Sequence, residues 1–152
     1  MKTLRALAAV VLLVSGAIGT YILLTDSYLW DQAPTHAEGL ILFVALDFGL
    51  ALGLWIRPRL STIGMTLLGL VQFGAMGADL FVGSSTFGES SSAAQASFQQ
   101  YLLRDTAFKA LLGVQVVLIV IGIAAFIMMR RAESPGPTMR SPGVAEPAPV
   151  QQ

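Results

Sequence analysis

Apolar and polar positions alternate on a coarse scale, giving four long hydrophobic runs separated by short polar stretches. The runs cover residues 4–24, 36–56, 60–83 and 107–129. Each is close to the roughly 20 residues a helix needs to cross a bilayer. The two-residue alternation of a membrane β-strand is missing, and a helix satisfies its own backbone in lipid. The pattern predicts an all-α integral membrane protein with four transmembrane helices in an antiparallel bundle, one domain over residues 1–131. Arg57-Pro58-Arg59 leaves room only for a reversal of direction, which makes the second and third spans antiparallel neighbours. Pro58 also stops the helix before it, since the residue preceding a proline avoids helical geometry.

The connections carry their own signals. In DSYLWDQAPT, read as the first outer loop, Tyr28 and Trp30 suit a headgroup boundary, and Trp55 suits the opposite one. Thr35-His36-Ala37-Glu38 reads as a capping box for the second span, and Ser92-Ala93-Ala94-Gln95 as another. SSTFGESSS reads as a flexible turn. After it, Phe98, Tyr101 and Leu102 recur at helical spacing opposite Gln95 and Gln99. This predicts a short amphipathic helix at the outer interface, leading into the fourth span. Residues 132–152 hold five of the seven prolines and almost no large apolar residue, so a disordered cytoplasmic tail is expected.

Composition agrees with the pattern. The chain is 55% hydrophobic and 12% charged, with a mean hydropathy of +0.71. A formal net charge of zero gives no footing for nucleic acid. The absence of cysteine excludes disulfides, thiolate metal sites and cysteine nucleophiles. The N-terminus starts like a signal peptide, with Lys2 and Arg5 ahead of an apolar run. That run continues to Leu24, beyond an ordinary h-region, so an uncleaved first span is expected. Seven of the nine basic residues (Lys2, Arg5, Arg57, Arg59, Arg130, Arg131 and Arg140) fall on one side, leaving Arg104 and Lys109 on the other. The positive-inside rule then puts both termini in the cytoplasm and the protein in the cell membrane.

Candidate chemistry is confined to a few polar residues inside the spans. Asp47 lies near the middle of the second run with no basic residue at its depth, which favours a protonated resting state. Ser15, Gln72 and Gln115 fall at comparable depth on the other spans, so the four converge near the midplane if the polar stripes face inward. Asp47, Gln72, Gln115 and Asp79 are accordingly the residues expected to bind a substrate or proton. The competing reading makes Asp47 a hydrogen-bonded acid that only holds helices together. Asp79 and Lys109 sit near the outer boundary, where a cross-helix pair competes with the local Asp105–Lys109 pair. His36 and Glu38, with Asp26, Asp31 or Asp79 near the same level, make at most a weak metal site, and no metal or other cofactor is expected. Ala45, Gly49 and Gly53 form a small-residue ridge suited to close helix packing, about 160° around the helix from Asp47.

A nucleotide loop, a catalytic triad and a metal-ligand spacing are all missing from the sequence, and the extramembrane parts are too small for an enzyme domain. The expectation is a non-catalytic accessory subunit of a larger membrane complex, such as an energy-converting or oxidoreductase assembly. The alternative is a small oligomeric proton-coupled transporter or exporter built around Asp47. A quinone- or lipid-binding helper is a third class, supported only by the apolar interior. The expected partners are the lipid bilayer and either other membrane subunits or further copies of the chain.

Overall fold

The computed structural model describes residues 2–81 and 92–133, although for residues 81, 92–96, 132 and 133 only the backbone is described. The described residues form six helices and no strand. These are α1 (Lys2–Thr25), α2 (Ser27–Gln32), α3 (Pro34–Ile56), α4 (Pro58–Phe81), α5 (Ser92–Arg104) and α6 (Thr106–Glu133). Four of them, α1, α3, α4 and α6, are long and apolar enough to span a membrane, as expected of a multi-pass membrane protein. The expected turn ahead of Ser92, the capping box at Ser92 and the tail beyond residue 133 lie outside the described residues or side chains.

The helix boundaries show where local chemistry overrides periodicity. The capping box expected at Thr35 does not form. Helix α3 begins at Pro34, with Ala33 as its N-cap and no side-chain cap bond. Proline at the first helical position has its φ preset and lacks the N–H that a cap would serve, so the helix starts earlier than the box predicts. Thr35 and Glu38 are left exposed. The segment read as the first outer loop contains α2, whose N-cap Asp26 accepts from the Leu29 amide at 3.2 Å. Asp105 breaks the chain between α5 and α6 and caps the latter, accepting from the amides of Ala107 at 2.7 Å and Phe108 at 3.4 Å. Replacing Asp105 with Ala should lower the melting temperature in detergent, by about 1 kcal/mol of stability if only the cap is lost.

Helix α1 packs against α3 and α6, and α4 packs against the same two; α5 lies on α4 and α6. Two apolar clusters result. One gathers Leu12, Leu54, Met65 and Leu118 with their neighbours. The other gathers Ile22, Ala37, Met76, Phe98, Leu102 and Leu111 with theirs. On each of the four long helices one buried polar residue falls, in sequence, between the members of the two clusters: Ser15, Asp47, Gln72 and Gln115. Close approach depends on glycine. A Cβ at Gly19 would stand 2.6 Å from the Val44 side chain, and one at Gly122 would press into Thr66.

Candidate functional site

The polar layer is a hydrogen-bonded chain rather than a set of neighbours. Ser15 Oγ donates to Asp47 Oδ2 at 2.6 Å, and Gln115 Nε2 donates to Ser15 Oγ at 2.9 Å. A serine hydroxyl has one proton, so giving it to Asp47 leaves the oxygen free to accept from Gln115. The direction of the chain is thereby fixed from α6 through α1 to α3. The Gln72 side chain on α4 faces the same carboxyl. Asp47 is 1% exposed, Gln72 3%, and Ser15 and Gln115 are fully enclosed. Despite that burial, Asp47 Oδ1, Gln72 Oε1 and Gln115 Oε1 have no hydrogen-bond partner.

Three of these residues, Ser15, Asp47 and Gln72, belong to the lining of a cavity of about 450 Å³. Small-molecule sites occupy roughly 300–1,000 Å³. The cavity extends to His36 and Asp79. His36 precedes Asp47 by eleven residues on α3, on the order of 16 Å along the axis. Its walls are mostly apolar, from Leu40, Phe43, Val44 and Met76, and α5 and the start of α6 add Phe98, Tyr101 and Phe108. The far end is a second polar group: His36 Nε2 and Asp79 Oδ1 are 3.3 Å apart, and the imidazole lies 4.9 Å from the Phe98 ring. Tyr101 stacks on Tyr28 at 4.5 Å and donates to Asp105 Oδ2 at 3.4 Å, which anchors α5 at this end.

No protein-family model, curated protein or solved structure matches the chain. The geometry of its own residues is therefore the whole basis for a functional reading.

Of the residues expected to bind a substrate or proton, the structure brings Asp47, Gln72 and Gln115 into one layer. It puts Asp79 at the other end of the same cavity. Ser15 connects the layer, although its hydroxyl is the most ordinary signal of the four. Lys109 is exposed, and among the described residues no ion pair joins it to Asp79 or Asp105. Asp79 instead faces His36, and Asp105 is engaged in capping. Glu38 is exposed, and no cluster of three or more possible metal ligands occurs among the described residues. On the small-residue ridge, Ala45 and Gly49 are exposed; nothing would meet a Cβ at Gly49, and only Gly53 packs closely, against Ser61 of α4. Phe43 and Phe108 were not singled out in the sequence, because isolated phenylalanines in apolar runs carry no pattern, and Phe98 was read only as part of an amphipathic helix face.

Ser15→Ala tests the layer. It removes Asp47 Oδ2's donor and Gln115's acceptor together. The expected loss is about 1–3 kcal/mol, the cost of leaving buried polar groups unpaired. An ordinary interhelical hydrogen bond in a membrane is worth only about 0.6 kcal/mol. Thermal unfolding in a mild detergent measures the difference, and a loss of the smaller size would mean that the layer tolerates local rearrangement.

Proposed function

We propose that the chain is a small proton-coupled transporter whose solute site is the cavity ending at Asp47. One observation carries the reading: a fully buried carboxyl, on a residue that lines a ligand-sized cavity, with one oxygen tied to Ser15 and the other unpartnered. An acid that only glued helices together would be expected to use both oxygens. The four spans are taken as an antiparallel bundle. In support, α1 and α4 run from the first apolar cluster through the polar layer to the second, while α3 and α6 run the reverse way. The arginine-rich ends of the spans then face the cytoplasm, with the His36–Asp79 end of the cavity outward.

A specific observation favours a second reading, that of a non-catalytic accessory subunit in a larger membrane complex. The exposed face of α3 at Ala45 and Gly49 suits close packing against another helix. Purification in mild detergent separates the two. A chain that purifies alone or as a homo-oligomer, and in vesicles moves protons only when a permeant organic cation is supplied, supports the transporter. Unrelated subunits at fixed stoichiometry, with no such proton movement, support the accessory role.

A further inference from the structure

We infer that the cavity takes an amphipathic organic cation bearing N–H donors, of the guanidinium or protonated-amine class, and exchanges it for the proton of Asp47. This rests on the transporter reading and names the chemistry of its solute.

Charge selects the sign. The carboxyls facing the cavity are Asp47, Asp79 and Asp105; the other titratable side chains there are His36 and Tyr101, and no lysine or arginine among the described residues lines it. Two of the acids are already engaged, Asp79 with His36 and Asp105 with the α6 amides and Tyr101. Of the three, only Asp47 has an unpartnered oxygen that is fully buried. The pattern of unmet hydrogen bonding then selects the donor. At the Asp47 end of the cavity the buried, unpartnered atoms of the lining residues, Asp47 Oδ1 and Gln72 Oε1, are oxygens. A guanidinium or ammonium supplies several N–H groups and no acceptor, which complements them. Shape selects the remainder of the solute. The wall between Asp47 and His36 is apolar and aromatic, suited to a hydrocarbon or aryl body and to cation–π contact on the way in.

The exchange balances. The Asp47 O–H bond breaks and its proton leaves to water. The carboxylate so formed accepts N–H···O bonds from the incoming cation, keeping the Ser15 bond at Oδ2. One positive charge enters as one leaves, so the buried site never holds an unpaired charge.

The test uses the full chain in detergent and four naphthylmethyl probes of matched size: the guanidine, the trimethylammonium, the alcohol and the carboxylate. Intrinsic fluorescence reads binding, and a pH indicator in weak buffer reads proton release. Expected is binding of the guanidine about tenfold or more tighter than the trimethylammonium, which has charge but no N–H. The alcohol and carboxylate should be weaker still, with close to one proton released per guanidine bound. Gln72→Leu should narrow the gap between the two cations, a change that a general loss of fold would not produce. Equal or tighter binding of the alcohol or carboxylate, or guanidine binding without proton release, overturns the cation-exchange inference while leaving a solute cavity standing. Failure of all four probes to bind overturns both.

Discussion

Asp47→Asn should abolish proton-coupled exchange and weaken binding of the guanidine probe by at least about thirtyfold, while the protein still folds. The size follows from the cost of removing one partner of a buried charged pair, about 2–5 kcal/mol. Retained folding follows from the geometry. Asparagine matches aspartate in shape, and its carbonyl oxygen can take the Ser15 hydroxyl where Asp47 Oδ2 now accepts it at 2.6 Å. Its amide then points where Oδ1 has no partner today. Asp47→Leu differs in kind, because it leaves the buried Ser15 O–H without its acceptor. Its melting temperature should fall well below that of Asp47→Asn. Equal melting temperatures for the two would mean that the hydrogen-bonded chain contributes little to folding. An asparagine variant that still exchanges protons would remove Asp47 from the mechanism.

Gly122→Val should be among the most destabilising single substitutions in the described residues. A Cβ there runs into the Thr66 hydroxyl and lies 3.0 Å from its Cβ and 3.3 Å from its Cα. Turning the Thr66 side chain gives little relief, since its hydroxyl already donates to the Thr62 carbonyl at 2.9 Å and the backbone remains in the way. The remaining response is to move α4 away from α6. Overpacking of that kind costs about 1–3 kcal/mol, and a β-branched residue has few rotamers with which to escape. Gly74→Ala and Gly113→Ala are the controls, because nothing stands within 4 Å of a Cβ at either position. They should be neutral or gain up to about 1 kcal/mol from helix propensity. Thermal unfolding in one detergent compares all three, and a valine variant as stable as the alanine controls would mean the helices are not held at this spacing.

Much of this was legible from residues alone, for a physical reason. Lipid leaves a span no choice but to be helical and near 20 residues long, so hydropathy locates spans to within a few residues. The convergence of Ser15, Asp47, Gln72 and Gln115 was legible because a buried polar group needs a partner, and equal depth restricts which partners are available. The partner choices were harder. Asp79 could be paired from its depth with Lys109 or with His36, and only the rotation of α3 against α4 decides for His36. The capping box at Thr35 satisfied a real rule, but Pro34 satisfied a competing one a residue earlier. Ala45, Gly49 and Gly53 form a true small-residue ridge, yet spacing cannot say which helix it meets. Within this chain only Gly53 of the three packs closely, against Ser61 of α4, while on the α1 side Gly16 and Gly19 take Phe48 and Val44 of α3. The cavity itself had no sequence signature, because an empty volume is a property of what six helices leave between them.

On the transporter reading, a solute in the cavity reaches Asp47. Labelling with a hydrophobic carbodiimide, which adds to protonated carboxyls in apolar surroundings, tests this most directly, with the adducts located by mass spectrometry of the intact purified chain. Expected is an adduct on Asp47 that the naphthylmethylguanidine probe suppresses and the matching alcohol does not. An unlabelled Asp47 beside labelled Asp79 and Asp105, or an Asp47 adduct that the guanidine leaves untouched, would contradict it.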